Sequence, residues 1–380
     1  RGTHSLKWDV RDNELPMWVA DMDFKTAPAI IEALQKRVEH GVFGYSIIPD
    51  EWNEAYCEWW ENRHHFHIEK DWLIFSTGVV PILSSVVRKL TTPGENVLIQ
   101  TPVYNIFFNS IVNNGRNVLE SPLIYKDGKY VLQCPLSYEN GEYSIDFDKL
   151  EEAMSQPQTT MMIFCNPHNP VGKIWDRETL AHVGELARKH HVIVVSDEIH
   201  CDITDPDKEY ISFPSASDTC REISITCVAP TKAFNMAGLQ TAAAIVPDPF
   251  LRHKVNRGLN TDEVAEPNAF AIWAAVAAFR NGGEWLDALR EYIYENKQIV
   301  TGFIEKELPQ VKLIYSEATY LLWLDCSAVC DNSEELADSI RERTGLYLSD
   351  GVQYGRTGEK FLRLNIACPR VRLEDGLRRL

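Results

Sequence analysis

Four short stretches of this chain hold side chains that could do chemistry together, and three of them directly follow an apolar run. The first is Ala229-Pro230-Thr231-Lys232-Ala233-Phe234-Asn235-Met236-Ala237-Gly238-Leu239, after Ile223–Val228. Taken alone, a lysine just past a strand reads as a solvated turn residue; held in a cleft, it can lose its proton and form a Schiff base with an aldehyde cofactor. The second is Asp197-Glu198-Ile199-His200, after Val192–Ser196. Asp197 by itself also fits a helix cap or a structural ion pair. A buried carboxylate there would keep a pyridine nitrogen protonated, the state in which pyridoxal 5′-phosphate (PLP) acts as an electron sink.

The third stretch is Asn166-Pro167-His168-Asn169-Pro170-Val171-Gly172, after Met162–Cys165. Its prolines and glycine mark a turn in any case, but an asparagine amide in that place could donate to the cofactor's phenolic oxygen. The fourth is Ser76-Thr77-Gly78-Val79-Val80. Besides being a plain helix start, it offers free backbone N–H groups at Gly78, Val79 and Val80 for a phosphate, and Thr231 could add a hydroxyl.

To converge, these stretches need strands that end side by side. The middle of the chain alternates apolar runs with helical patterns, as a βαβ architecture with a buried parallel sheet does. Strands are expected at Asn96–Gln100, Asn117–Glu120, Thr160–Cys165, Val192–Ser196, Ile223–Cys227 and Thr241–Val246. Helices are expected at Val80–Leu90, Phe107–Asn113, Phe147–Ser155, Arg177–His190 and Phe250–Arg257. The motifs fall at strand ends, where open α/β sheets bind ligands. A helical region near Asn268–Leu308 leads into strands at Tyr320–Asp325 and Lys360–Ile366 with a helix at Ser333–Thr344, a second α+β lobe. The N-terminal segment, with a helix at Ala27–His40 and no strand partner nearby, is expected to join it. The expected division is a large domain over 41–275 and a discontinuous small domain of 1–40 with 276–380.

The chain has 380 residues, 44% hydrophobic and 24% charged, which suffices for a large core. A formal charge of −17 argues against nucleic acid or an anionic membrane as partner and favours a small-molecule ligand. Nine scattered cysteines, odd in number and without a C-x-x-C pair, argue against a disulfide framework or zinc ribbon. With no signal pattern at its start and no apolar run of membrane-spanning length, the expected location is the reducing cytoplasm.

Together, the four stretches and their order resemble the fold-type I PLP enzymes of the class I/II aminotransferase group over nearly the whole chain. More narrowly, Lys7-Trp8-Asp9, Leu15-Pro16-Met17-Trp18-Val19-Ala20-Asp21-Met22-Asp23-Phe24, Phe43-Gly44-Tyr45, Asn166–Gly172 and Asp197–His200 resemble the MalY/PatB branch of carbon–sulfur lyases. The resemblance implies an α/β fold with a large domain built on a mostly parallel seven-stranded sheet between helices, plus a smaller α+β domain. It also implies that Lys232 is the Schiff-base lysine and acid/base, that Asp197 pairs with the pyridine nitrogen, and that Asn169 bonds the phenolic oxygen. By the same resemblance Tyr104 stacks on the ring, His200 lies by the cofactor, and Arg363 holds the substrate α-carboxylate beside Ala20, Asp21 and Asn169. Tyr45 is similar to a tyrosine that reaches the neighbouring subunit's cofactor, so a homodimer with shared sites is implied.

Many aminotransferases of this fold carry tyrosine and arginine where this chain has His200 and Gln240, departures that favour a lyase acting on L-cystathionine or L-cysteine. An aminotransferase is the nearest alternative, and a regulatory binding protein of MalY type the alternative from another class. Among the remaining eye-catching groups, His64-His65-x-His67 reads as a solvated helix end rather than a metal site. Cys326 and Cys330 read as core or surface thiols, and Gly355–Lys360 reads as a hairpin turn rather than a phosphate loop.

Overall fold

The computed structural model describes residues 1–122, 124–125, 136–139 and 142–380. Its centre is a seven-stranded sheet, in the order Leu73–Ser76, Ala242–Ile245, Ser224–Val228, Ile193–Asp197, Thr159–Cys165, Asn96–Thr101 and Asn117–Pro122. Ala242–Ile245 runs antiparallel to both neighbours and the other pairings are parallel. Helices cover both faces, so the central strands are buried along nearly their whole length and read as largely apolar runs. On one face, the helix Val79–Leu90 buries Val79, Ile82, Leu83, Val86 and Val87, the stripe that a 3.6-residue period brings onto one side. On the other, Arg177–Lys189 buries Leu180, Val183, Leu186 and Ala187, and Asp176 caps it by accepting from the Thr179 N–H at 2.7 Å.

All six expected strands are present, with ends within two residues of the expected ones. The seventh, Leu73–Ser76, is an addition: four residues at the sheet edge, paired with Ala242–Ile245 alone. A second sheet of Lys312–Leu313, Leu321–Asp325, Phe361–Asn365 and Ser349–Asp350 is antiparallel throughout. The 25-residue helix Gly283–Glu307 packs alongside it with Ser333–Thr344 and Arg370–Arg379. Gly355–Lys360 lies in the connection between the antiparallel strands Ser349–Asp350 and Phe361–Asn365, as expected of a hairpin.

Near the N-terminus, where no strand partner lies nearby in sequence, Leu15–Pro16 pairs in parallel with the distant Leu346–Tyr347. Two residues are too few to show an alternating pattern. Helix Pro28–His40 packs on Ala271–Asn281, which also packs on Asp50–His64. No helix among the described residues is long and apolar enough to cross a membrane.

Candidate active site

Five parallel strands end at the same edge of the large sheet, and each delivers one expected site residue. Leu73–Ser76 leads to Gly78, Asn96–Thr101 to Tyr104, Thr159–Cys165 to Asn169, and Ser224–Val228 to Lys232, while Ile193–Asp197 ends on Asp197 itself. Register fixes the floor: Asp197 lies level with Cys165 on one side and Cys227 on the other. The Asn166 N–H donates to the Asp197 carbonyl (3.0 Å) and the Glu198 N–H to that of Cys227 (2.9 Å).

The Asp197 carboxylate is buried and accepts from the Ile199 N–H at 3.2 Å. Burial pushes its pKa up to about 7, against the opposing pull of that N–H and of Lys232. A cationic ring nitrogen is what such a group lacks. Its neighbour Glu198 is fully buried too, held by the hydroxyls of Ser196, Ser212 and Tyr210 and by the Phe213 N–H; burial pushes it up to about 8. His200 is buried with Nδ1 unpartnered, and desolvation with the nearby Lys232 and Arg363 charges takes its pKa down to about 3, so the imidazole is neutral. Burial raises the Tyr104 phenol to about 12.

Lys232 donates from Nζ to the Ala20 carbonyl at 2.8 Å and stands 3.9 Å from the Asp21 carboxylate. Desolvation lowers its pKa, Asp21 and Asp197 oppose that, and Arg363 reinforces it. Arg363 comes from the second sheet, in the strand Phe361–Asn365, and is buried. Its guanidinium donates to Asn169 Oδ1 (3.1 Å) and to the Trp18 carbonyl (2.9 Å), lies 5.0 Å above the Tyr354 ring, and leaves Nε unpartnered. Among the described residues no carboxylate lies within 4.0 Å of it, so this buried cation awaits an anion. Because a guanidinium only donates, Asn169 must turn its oxygen toward Arg363, leaving its amide NH2 as a free donor.

The sequence stretch Trp18–Phe24 forms a strap between the loop after Ser224–Val228 and the second sheet, held largely through its carbonyls. Those of Trp18, Val19, Ala20, Asp21, Met22 and Phe24 accept from Arg363 and Ser349, Asn365, Lys232 and Tyr320, Lys7 and Asn365, Asn235, and Asn235 again. Asp23 pairs with Lys7 (3.2 Å) and Arg372 (3.1 Å) and accepts from Trp8 Nε1 (2.8 Å). The Lys7-Trp8 motif is therefore a support for the strap. Tyr320, Asn365, Asn235 and Glu198 were not singled out from sequence. The available signal was a polar residue inside an apolar run, as in Leu362-Arg363-Leu364-Asn365-Ile366.

Gly172, which closes the asparagine motif, has φ +73°; a Cβ there would stand 2.4 Å from Ser316 Cβ and 2.8 Å from the Ala318 carbonyl. Its own carbonyl accepts from the Glu317 and Ala318 N–H groups (2.8 and 3.0 Å), tying the motif to the second lobe. Gly78 caps helix Val79–Leu90 with no side-chain acceptor at the helix start, which leaves the N–H groups there, Val80's included, open to an anion. Thr231 is buried beside Lys232, whereas Gln240 is exposed with φ +54°. The structure thus brings Lys232, Asp197, Asn169, Arg363, Tyr104, His200, Ala20 and Asp21 together. It does not bring Tyr45, which is fully exposed by the groove between Pro28–His40 and Ala271–Asn281.

The expectation of a solvated His64 is corrected. Its Nε2 lies 2.9 Å from Asp202 Oδ1, which also accepts from Trp59 Nε1 (2.9 Å) and has Arg63 at 3.8 Å. Cys201 completes a group of metal-ligand type, but the Asp202 oxygen is engaged and a cation stands beside it, so this is a buried ion-pair network. The pull of a carboxylate from residue 202 cannot be seen in the local pattern. Cys326 is buried and Cys330 half-buried, and all eight described cysteines are free; Cys134 lies outside the described residues.

The chain belongs to the family described as aminotransferase class I and II, whose model matches residues 15–380. It is similar to cystathionine β-lyase PatB of Bacillus subtilis (strain 168), 43% identical over 385 residues that cover 100% of this chain and 96% of that protein. It is 32% identical to protein MalY of Escherichia coli (strain K12), covering 99% and 94% of the two chains. Cystalysin from Treponema denticola, a structure containing a pyridoxal 5′-phosphate cofactor, superposes with a TM-score of 0.93 at 32% identity, covering 100% of this chain and 95% of that one. The donor set fits PLP on its own terms: a buried carboxylate without a cation, a free amide, an uncapped helix start and a desolvated lysine.

Proposed function

We infer that the protein is a PLP-dependent carbon–sulfur β-lyase, which eliminates the sulfur substituent from Cβ of L-cystathionine or L-cysteine as a thiol or sulfide, the remaining aminoacrylate being hydrolysed by one water to pyruvate and ammonia. The observation that carries this reading is the buried, anion-free guanidinium of Arg363 facing the desolvated amine of Lys232, with the cation-free carboxylate of Asp197 at the floor. Arg363 takes the substrate α-carboxylate in a two-pronged hydrogen bond. Lys232, displaced by the substrate amine, removes the Cα proton and returns a proton to the departing sulfur. Bound in this site, PLP supplies the electron sink for the Cα–H bond pair. Asp197 would keep the ring nitrogen protonated, Asn169 would donate its NH2 to the phenolic oxygen, Tyr104 would pack on the ring, and His200 would stay neutral nearby. Gly78, Val79, Val80 and Thr231 hold the phosphate.

The protein acts as a homodimer. Val42, Phe43, Tyr45 and Ile47 form an exposed apolar run, with Tyr45 and Ile47 102% and 81% exposed, which supports a partner subunit covering it and receiving Tyr45 at its cofactor phosphate. The eight cysteines among the described residues are all free, which favours a reducing cytoplasm as its compartment. The large domain over 41–275 supplies Lys232 and the discontinuous small domain of 1–40 with 276–380 supplies Arg363 to the substrate site between them.

The test is to incubate the PLP-loaded protein with L-cystathionine and no oxo acid, following pyruvate and free thiol together. Stoichiometric release of both over many turnovers is expected. Activity that appears only once a 2-oxo acid is supplied would make the protein an aminotransferase instead.

A further inference from the structure

Two aspartates lie in the strap Trp18–Phe24, and the structure treats them differently. Asp23 is spent on structure, paired with Lys7, Arg372 and Trp8. Asp21 has its backbone carbonyl tied down by Lys7 (2.9 Å) and Asn365 (2.7 Å), while its carboxylate is directed at the cleft, with Lys232 the one cation within 4.0 Å among the described residues. Beside it the Ala20 carbonyl accepts from Lys232 Nζ at 2.8 Å and from the buried Tyr320 hydroxyl at 3.0 Å, a second donor that fixes the oxygen in place. A protonated lysine carries three N–H groups. The carbonyl takes one, the carboxylate at 3.9 Å acts on the ammonium through its charge, and the other N–H groups remain for the cleft.

We propose that the Ala20 carbonyl and the Asp21 carboxylate form a dock for the free ε-amine of Lys232, occupied each time a substrate amine displaces the lysine and holding the ammonium formed when it takes the Cα proton. The Cα–H bond breaks, an N–H bond forms at Nζ, and the electron pair stays with the substrate carbon. The dock rests on the reading of Lys232 as the PLP lysine, and makes Asp21 a group that sets how readily that lysine accepts and keeps a proton. The other charged groups acting on Lys232 are Arg363, which opposes protonation, and Asp197, which favours it. Tyr104 and Tyr320, both raised by burial, and His200, down to about 3, stay neutral across the assay range.

The experiment compares wild type, Asp21→Asn and Asp21→Glu, each freed of cofactor and shown to be folded by circular dichroism. The rate at which each captures added PLP is followed by visible absorbance from pH 6 to 10. Capture needs the neutral amine, so the rate falls as pH drops through its titration. Losing a carboxylate at this distance should move the midpoint down by about one pH unit in Asp21→Asn, and Asp21→Glu should restore most of it. Asp197 is present in all three proteins, so the difference between profiles isolates Asp21. A purely structural role for Asp21 would change the amplitude or the fold and not the midpoint. An unchanged midpoint in folded Asp21→Asn overturns the dock while leaving the lyase reading intact; a wild type that captures no PLP overturns both.

Discussion

Replacing Asp197 by asparagine tests the electrostatics of the floor without turnover. In the cofactor-free protein the Asp197 carboxyl titrates at about 7 against an ordinary value of 3.8, because burial outweighs the single N–H it accepts. A carboxyl raised in this way binds its proton more tightly in the folded state. Its contribution to stability is therefore complete below pH 3.8 and is lost as pH rises toward 7. At about 1.36 kcal/mol per unit, the two units from pH 5 to pH 7 remove about 3 kcal/mol. Urea unfolding of both cofactor-free proteins at pH 5, 6, 7 and 8 reads this directly. Glu198, raised to about 8 mainly by the same burial and least by the Asp197 charge, is present in both, so only that small coupling remains in the difference. The stability of wild type relative to Asp197→Asn should fall by about 3 kcal/mol between pH 5 and 7 and level off above. With PLP bound, the ring nitrogen's proton supplies the missing cation, so the stabilisation conferred by PLP on wild type should grow over the same window. Parallel pH curves for the two proteins would refute the reasoning.

Lys232→Ala should abolish the visible Schiff-base absorbance of the loaded protein; an unchanged spectrum would place the link elsewhere. Arg363→Lys keeps the charge but loses the fork, and kcat/KM for L-cystathionine should fall by about 100-fold, mainly through KM, as expected for about 3 kcal/mol of charge-assisted hydrogen bonding. Steady-state kinetics with a normal KM would remove Arg363 from the substrate site. Gly172→Ala combines a positive φ with contacts at 2.4 and 2.8 Å, and should cost about 2–4 kcal/mol in urea unfolding; wild-type stability would show that Ser316 and Ala318 move aside freely.

Whether a site residue could be read from the sequence depended on how far the information lay along the chain. Lys232, Asp197 and Asn169 each follow an apolar strand within a few residues, so strand and chemistry fall in one window and the convergence of strand ends follows from the parallel order. Leu73–Ser76 was missed because four edge residues in a short apolar run carry no period of their own. His64 was misjudged because its partner, Asp202, lies 138 positions away. The strap is the sharper case. Asp21 and Asp23 are two residues apart in one motif, and nothing local separates them. The pairing of Asp23 comes from Lys7, Trp8 and Arg372, whereas the freedom of Asp21 follows from Asn365 and Lys7 taking its carbonyl and leaving its carboxylate alone. The same strap binds Arg363 through the Trp18 carbonyl and Lys232 through that of Ala20. Substrate anchor and base are therefore held by one short stretch of backbone, and the position of Arg363 is tied to that of Lys232.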